Sequence, residues 1–419
     1  MTSAPAFVLL GVYVFIQLAT HVVTLLNLRH MRLNGSMIPA ELAGMIDPET
    51  VRRTQAYEAD KAWFGIGAAL FDAAVTIIFL FGLLAWYDGW IRGLELPFVA
   101  EGLLFVILLY GAGEIVEIPF SLYRAFRIEA RHGFNTMTLQ TWMLDWVKSF
   151  VISLVILLLM TAVALWLVQA SPALWWFWIW LFLLGFSLFV MYIAPYVIEP
   201  LFNKFEPISD ELLAARIIEL CARAGIRAEK VQQMDASKRS RHSNAYFTGI
   251  GRVKRIVLYD TLIAQMTPAE ILAVLAHEIG HWKKRHVLKS IVLIHVCSFA
   301  GLYAAYYLVH GNLLGALFGI DLQTIMGKFI LLSFLAGIVM FPLRPLMLAW
   351  SRRNEREADR FSFELTGDRE SMATSLIKLS KENLSNLHPH PLYVALHYSH
   401  PPVVERVRTI RAFGQAEPS

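Results

Sequence analysis

Seven stretches of the chain are long and apolar enough to cross a lipid bilayer, and no other feature constrains the fold as strongly. The hydrocarbon core of a bilayer is about 30 Å thick, so a helix needs roughly 20 apolar residues to cross it. The predicted spans are residues 5–27, 63–86, 97–123, 146–168, 174–197, 287–309 and 325–350. We therefore expect an all-α membrane protein, held in the lipid bilayer by seven transmembrane helices.

The composition excludes several other classes of protein. Hydrophobic residues make up 57% of the 419-residue chain and charged residues 17%, whereas soluble proteins average about 45–50% apolar and about 25% charged residues. A purely soluble enzyme, a disordered protein and a nucleic-acid-binding protein are therefore excluded. The two cysteines, Cys221 and Cys297, are too few for a disulfide framework.

The distribution of lysine and arginine predicts the orientation in the membrane, because cytoplasmic loops are enriched in both. The connections after spans 1, 3 and 5 contain five, three and fourteen of these residues, and the tail after span 7 contains ten. The other three connections contain one, none and none. We expect a multi-pass membrane protein with its N-terminus outside and its long soluble segments in the cytoplasm. The sequence does not distinguish a bacterial inner membrane from the endoplasmic reticulum.

The chain divides into two predicted domains. The first, residues 1–198, is a domain of five transmembrane helices. The second, residues 199–419, consists of soluble residues 199–286, transmembrane helices 287–309 and 325–350, and C-terminal soluble residues 351–419. We expect the two soluble segments to fold together, because each is short for an independent domain.

The first soluble segment has the pattern of a mixed α+β fold. It predicts a helix at 209–224, a strand at 230–234, and a hairpin of strands 244–248 and 253–259 turned by Gly249-Ile250-Gly251. Another helix follows Thr267, because Thr267-Pro268-Ala269-Glu270 has the spacing of a capping box with proline at the first helical position.

This capped helix contains the sequence His277-Glu278-Ile279-Gly280-His281. Histidines at positions i and i+4 lie one turn apart on the same helical face, so both imidazole rings can bind one Zn²⁺ ion. Glu278 lies beside them, where it can take a proton from a water molecule at the metal. A surface helix with two solvated histidines is the alternative, but the cap and the apolar face of the helix favour a metal site.

A catalytic zinc ion needs a third protein ligand, and Glu355 is the better of two candidates. Glu355 and Asp359 are four residues apart, so a ligand carboxylate and a supporting carboxylate would share one helical face. Asp359 is then expected to accept the free N–H of a liganding histidine. His286 is the weaker candidate, because it lies off the ligand face, and Glu357 points about 200° away from Glu355. A solvated charged helix is the alternative.

Several motifs closely resemble those of the CAAX prenyl protease 1 family, whose members are integral-membrane zinc endopeptidases. The resemblance covers nearly the whole chain, including the seven spans and the soluble segments after spans 5 and 7. The motifs are His277-Glu278-Ile279-Gly280-His281-Trp282-Lys283, Ser351-Arg352-Arg353-Asn354-Glu355, Ala358-Asp359-Arg360-Phe361, His397-Tyr398-Ser399-His400-Pro401-Pro402, Pro200-Leu201-Phe202-Asn203-Lys204-Phe205, Ser243-Asn244-Ala245-Tyr246 and Lys254-Arg255-Ile256-Val257-Leu258-Tyr259-Asp260-Thr261-Leu262.

The resemblance implies a ligand set and an architecture. It implies that His277, His281 and Glu355 bind one Zn²⁺ ion and that Glu278 is the catalytic base. It also implies that the seven helices enclose a large water-filled chamber. A cytoplasmic, zincin-like α+β metalloprotease domain, built from the segments after spans 5 and 7, would cap that chamber.

The resemblance also implies two sites of contact with substrate. Asn244-Ala245-Tyr246 is expected to pair with the backbone of an extended substrate, although an ordinary strand start is the alternative. His400 precedes two prolines, which cannot continue a helix, so it lies at a turn. It is expected to donate a hydrogen bond to the oxyanion of the tetrahedral intermediate, with a purely structural turn histidine as the alternative.

We therefore expect a membrane-bound, zinc-dependent endopeptidase that acts on peptide or protein substrates. The resemblance implies a prenylated C-a-a-X tail, cut after the lipidated cysteine, as the substrate. A quality-control protease of membrane proteins would use the same site and is one alternative. A transporter or channel with a structural metal site is the alternative from another class. Structural zinc usually has four protein ligands, however, and would leave Glu278 without a role.

Overall fold

The computed structural model describes residues 3–248, 253–311 and 313–415. Within these residues, seven helical segments are long and apolar enough to cross a membrane. Each overlaps one predicted span and extends beyond it at one end or both, so all seven predicted spans are confirmed.

The first five membrane segments are built from long helices, three of which run into a π-helical turn. The helices are α1 (Ala4–Asn34), α2 (Pro48–Ile78), α3 (Leu84–Arg92), α4 (Phe98–Tyr123), α5 (Leu139–Ala170) and α6 (Trp175–Ile193). The π-helical turns are Phe79–Leu83, which joins α2 to α3, Arg124–Glu129 after α4, and Ala194–Ile198 after α6.

The soluble segment that follows alternates helices and strands. Its elements are α7 (Glu199–Phe202), β1 (Phe205–Pro207), α8 (Glu211–Arg223), β2 (Arg227–Met234), β3 (Ala245–Thr248), β4 (Val253–Tyr259), α9 (Asp260–Gln265) and α10 (Pro268–Lys283). The predicted helix, strand, hairpin strands and capped helix are confirmed, whereas β1 is absent from the predictions. The predicted hairpin turn, Gly249-Ile250-Gly251, lies outside the described residues.

The strands form one four-stranded sheet in the order β1-β2-β4-β3. β2 pairs with β4 in parallel, and β3 pairs with β4 antiparallel, with Ala245 opposite Leu258. The strand β3 therefore lies at an edge of the sheet, and it also contacts α10. An edge strand has unpaired backbone N–H and C=O groups that an extended peptide can use.

The last two membrane segments connect the first soluble segment to the second. The helices are α11 (His286–His310), α12 (Leu313–Phe318), α13 (Ile325–Met340) and α14 (Arg344–Thr366). Pro342 lies in the break between α13 and α14, and Pro345 occupies the start of α14. Proline cannot donate the backbone hydrogen bond that a continuous helix needs, which explains the break. Helix α14 then runs from the membrane into the soluble domain.

Three short helices complete the soluble domain, namely α15 (Arg369–Glu382), α16 (Pro391–His397) and α17 (Val403–Ala412). Helices α15 and α17 share a core with α10 and with the connection between α1 and α2. This core contains Leu42, Ile46, Ala273, Met372, Ile377 and Val407. The two soluble segments therefore fold together, as predicted from their lengths.

The membrane helices follow one another around a ring. Helix α1 packs on α2, and the continuation α3 packs on α4. From α4, contacts lead in turn to α5, α6, α11 and α13, and α13 contacts α1. In the most apolar part of the sixth span none of the residues is buried, and in the other spans at most 17% of them are. A helix in a solid bundle buries one apolar face. The seven segments expose most of their apolar residues, as helices that face lipid or a chamber do.

Candidate metal centre

Helix α10 carries the predicted metal motif and is fixed firmly at its start. Thr267 Oγ1 accepts a hydrogen bond from the backbone N–H of Glu270 (3.4 Å), and the Glu270 carboxylate accepts one from the backbone N–H of Thr267 (2.8 Å). This is the predicted capping box. Ile271 and Leu275 are fully buried in the core, so packing also fixes the rotation of the helix about its axis.

Helices α10 and α14 cross in close contact at Gly280. A Cβ atom on Gly280 would lie 3.0 Å from the Cα atom of Ala358 and 3.2 Å from its carbonyl oxygen, which is closer than an ordinary contact. The missing side chain therefore permits the close approach of the two backbones. It brings Glu355, about one turn before Ala358, within reach of the histidines of α10.

The two histidines and the distal glutamate converge on one point. Nε2 of His277 and Nε2 of His281 lie 3.2 Å apart. The Glu355 carboxylate faces both rings, with Oε2 at 3.3 Å from His277 Nε2 and Oε1 at 3.3 Å from His281 Nε2. Ligand atoms at about 2.0–2.1 Å from a tetrahedral ion lie roughly 3.3 Å from one another. The three side chains therefore have the separations that a shared metal ion requires.

Burial makes a cation at this point physically favourable. Glu355 is only 5% exposed, and its Oε2 atom has no hydrogen-bond partner among the described residues. A buried carboxylate oxygen without a partner is costly, and a bound cation removes that cost. Two imidazole nitrogens and a carboxylate oxygen are also a donor set that suits zinc.

Asp359 lies beside His277, on the side of the ring that faces away from His281 and Glu355. Its Oδ1 atom is 2.8 Å from Nδ1 of His277, the nitrogen that does not face the other ligands. Arg406, on α17, donates two hydrogen bonds to the same carboxylate, at 2.9 and 2.6 Å. The sequence reasoning missed Arg406, because no local spacing connects a residue of α17 to α14.

The electrostatics of the site depend on these carboxylates. Burial lowers the pKa of His277, but the adjacent carboxylates of Asp359 and Glu355 outweigh it and raise the pKa to about 9. Burial raises the pKa of Glu278 above its ordinary value, against the opposing effect of the two histidines. A carboxylate with a raised pKa is a better proton acceptor, as a general base requires.

His286 and Glu357 form a contact that the sequence does not predict. Helix α10 ends at Lys283, and Arg285 has a φ of 56°, which turns the chain before α11 begins. The His286 ring therefore lies against His281, with 3.0 Å between their Nδ1 atoms, on the side of the His281 ring that faces away from His277 and Glu355. Its Nε2 atom is 3.3 Å from Oε2 of Glu357. His286 thus lies behind His281, outside the cluster that His277, His281 and Glu355 form.

His400 lies at the open side of the site. Its Nε2 atom is 3.4 Å from Oε1 of Glu355, and its side chain is 60% exposed. Arg352, one turn before Glu355, holds the preceding turn by donating to the carbonyl oxygens of Val394 (3.1 Å) and Tyr398 (2.7 Å). A cavity of about 470 Å³ adjoins this turn and is lined by residues of α15 and α16 together with α2.

The segment Asn244-Ala245-Tyr246 forms the start of the edge strand β3. The Asn244 side chain is exposed and accepts a hydrogen bond from the backbone N–H of Ala245 (2.9 Å). Ala245 is buried against the core that includes α10. The Tyr246 hydroxyl donates to Glu199 (2.8 Å) on the other face of the sheet. The Ala245 face of this strand, and not the Tyr246 ring, therefore lies toward α10.

Comparisons with known proteins agree over almost the whole length. The profile of the CAAX prenyl protease N-terminal domain, with five membrane helices, matches residues 27–204, and that of peptidase family M48 matches residues 207–413. A CAAX prenyl protease 1 homolog from Arabidopsis thaliana is 37% identical, covering 92% of this chain and 93% of the relative. CAAX prenyl protease 1 from Saccharomyces cerevisiae is 33% identical, with coverages of 91% and 90%.

A solved structure is similar throughout. The crystal structure of S. mikatae Ste24p superposes with a TM-score of 0.90 at 30% identity, covering 98% of this chain and 100% of the other. These similarities do not favour a transporter, a channel or a quality-control protease, and they imply a metal-dependent enzyme with peptide or protein substrates. The chain therefore belongs to the CAAX prenyl protease 1 family within peptidase family M48, and is a multi-pass integral-membrane metalloendopeptidase.

Proposed function

We propose that the protein is a zinc endopeptidase in which His277, His281 and Glu355 hold the ion. The observation that carries the proposal is the convergence of the three side chains: the two Nε2 atoms lie 3.2 Å apart, and each lies 3.3 Å from one oxygen of the Glu355 carboxylate, as ligands of one zinc ion can. Three protein ligands leave one position open, as in catalytic rather than structural zinc sites. His400 and the adjoining cavity lie on this open side.

Zinc, when bound there, supplies Lewis acidity that polarises the scissile carbonyl and acidifies water. Glu278 takes the proton of the attacking water and passes it to the leaving amine nitrogen. His400 donates a hydrogen bond to the developing oxyanion. Asp359 keeps a proton on Nδ1 of His277, so that Nε2 is free to act as the metal ligand.

The substrate backbone is proposed to add to the edge of β3 as an extra strand, beside Asn244 and Ala245. An edge strand has backbone groups available for pairing, and β3 itself contacts α10. An extended peptide held there would pass the metal ligands in a defined register. The Tyr246 ring, which contacts Glu199 on the far face, supports the strand without touching the peptide.

We further propose that the substrates include prenylated C-a-a-X tails and that the protease domain faces the cytoplasm. The first point rests on the relatives described as CAAX prenyl protease 1, and the second on the lysine and arginine content of the connections. The division at residues 198 and 199, into a five-helix membrane domain and a protease domain, is likewise proposed from the spans.

The substitution Glu278→Gln tests the proposed mechanism. It should leave one zinc ion bound and lower turnover at least about 100-fold, because the ligands remain and the base is lost. Glu364→Gln is a matched control on α14, because Glu364 is paired with Arg360 at the surface. Metal analysis and peptide cleavage are measured together. Turnover above about a tenth of the wild-type rate would refute the role of Glu278.

Paired peptides that differ only in the lipid on the cysteine test the substrate. A farnesylated C-a-a-X peptide should be cut after the modified cysteine at a higher kcat/KM than its unmodified twin. A zinc chelator should abolish both activities, and added zinc should restore them. Equal kcat/KM values for the two peptides would contradict the prenyl specificity while leaving the zinc mechanism in place.

A further inference from the structure

We propose that His286 and Glu357 are positioning residues for the metal ligand His281. The proposal rests on the proposed zinc site, because a metal at that site decides which ring nitrogen of His281 is free. It concerns only contacts within the chain, between the end of α10, the start of α11 and the soluble part of α14.

The backbone before His286 is in an uncommon conformation. Arg285 has a φ of 56°, in the left-handed region that side chains other than glycine rarely adopt. This turn ends the path of α10 and starts α11, so that the first side chain of α11 returns toward the metal motif. His286 is 3% exposed, and its ring centroid lies 5.1 Å from that of His281. An unfavourable backbone conformation that produces a specific contact points to a function for that contact.

The hydrogen positions follow from the metal site. His281 presents Nε2 to the ligand cluster, so a neutral His281 ring that binds metal there carries its proton on Nδ1. That N–H points at Nδ1 of His286, 3.0 Å away, which must therefore accept. The proton of His286 is then on Nε2, which lies 3.3 Å from Oε2 of Glu357 and donates to it. Each donor in this series of hydrogen bonds therefore has one acceptor.

The arrangement parallels the support of the other histidine ligand. His277 has the Asp359 carboxylate directly on its Nδ1 side, at 2.8 Å, whereas His281 reaches the Glu357 carboxylate through an intervening imidazole. Glu357 also accepts a hydrogen bond from Arg353 (3.2 Å), which holds the carboxylate in place. Both ligand rings are thus fixed in tautomer and orientation by a carboxylate of α14, the helix that also carries Glu355.

The test measures zinc affinity, by competition with a chelator, on the full chain in lipid nanodiscs. His286→Leu should weaken zinc binding about 10-fold to 100-fold, and Glu357→Ala about 10-fold, because support of a ligand from behind is lost. His286→Asn should stay within a few-fold of wild type, since its side-chain oxygen can replace Nδ1 as acceptor. Glu364→Ala, on the exposed side of α14, is the control and should have no effect.

A double substitution separates positioning from a merely structural role. Since His286 and Glu357 act in series, the variant with both His286→Leu and Glu357→Ala should bind zinc no more weakly than His286→Leu alone. Wild-type zinc affinity in His286→Leu would overturn the proposal, and so would independent, multiplicative losses in the double variant. Thermal unfolding at saturating zinc checks that each variant folds. If His286→Leu does not fold, Glu357→Ala still tests the proposal, because it is at a half-exposed position. Failure of the zinc site itself would be seen as the absence of zinc binding in the wild type.

Discussion

The crossing of α10 and α14 at Gly280 makes a quantitative prediction about the metal site. The substitution Gly280→Ala adds a Cβ atom 3.0 Å from Cα and 3.2 Å from the carbonyl oxygen of Ala358. Carbon atoms in good contact are about 3.5–4.0 Å apart, so the new atom is too close by roughly 0.5–1.0 Å. Both of the nearest atoms are backbone atoms, which no side-chain rotation can move. The two helices must therefore separate.

The expected change in the stability of the fold follows from two opposing effects. Alanine is favoured over glycine inside a helix by about 1 kcal/mol, whereas overpacking costs about 1–3 kcal/mol. The fold should therefore be destabilised by about 0–2 kcal/mol. The metal site should suffer more, because its residues must be held within about 0.5 Å. We expect zinc affinity to fall by at least about 10-fold, since His277 and His281 lie on one helix and Glu355 on the other.

Chelator competition and thermal unfolding of Gly280→Ala in nanodiscs measure the two effects separately. Gly301→Ala in α11 is a matched control, because nothing lies within 4 Å of the Cβ atom that it adds. The control should bind zinc as the wild type does. If Gly280→Ala also retained wild-type zinc affinity, the close approach at this glycine would not determine the position of Glu355, and the account of the helix crossing would have to be abandoned.

Three further predictions concern the charges around the site and its side of the membrane. Asp359→Ala should weaken zinc binding about 10-fold to 100-fold, which chelator competition measures. It should also destabilise the protein by about 3–5 kcal/mol, because it removes the partner of the buried Arg406, and thermal unfolding measures this loss. Because the pKa of His277 is raised to about 9, its ring is protonated below that pH and must lose a proton to bind metal. Zinc affinity should therefore rise about tenfold per pH unit from pH 6.5 to 8.5, and a flat profile in the chelator titration would contradict this. Single cysteines in place of the exposed Lys238 and Glu95 should be labelled by a membrane-impermeant reagent from opposite sides, Lys238→Cys from the cytoplasm; labelling from one side would refute the topology.

The parts of the structure that the sequence predicts are those set by local physical rules. About 20 consecutive apolar residues identify each span. The spacing of Thr267, Pro268 and Glu270 identifies the start of α10. The pairing of His277 with His281 needs only the period of a helix. Such features depend on residues a few positions apart, so they can be recognised without knowledge of the tertiary fold.

Three contacts around the site, made by Arg406, His286 and Glu357, could not be predicted in this way. Arg406 reaches Asp359 because α17 packs beside α14, a relation that no spacing within either helix encodes. His286 reaches His281 because Arg285 adopts a left-handed conformation, which is uncommon for a residue with a side chain. The periodicity of α10 alone therefore does not indicate this contact. Glu357 points away from Glu355, as predicted, but toward a partner that the sequence did not identify.

The order of these elements along the chain has a consequence for assembly of the site. Helix α10 enters the membrane through α11, and the helix that carries Glu355 emerges from it after α13, so two membrane segments separate the histidines from the distal glutamate. The ligands can meet only when α11 and α13 have crossed the bilayer and returned α14 to the same side. A bound metal would then tie the two soluble segments together, across the closest backbone approach at Gly280. Metal binding and correct insertion of the last two spans should therefore stabilise each other, because each requires α10 and α14 to be side by side.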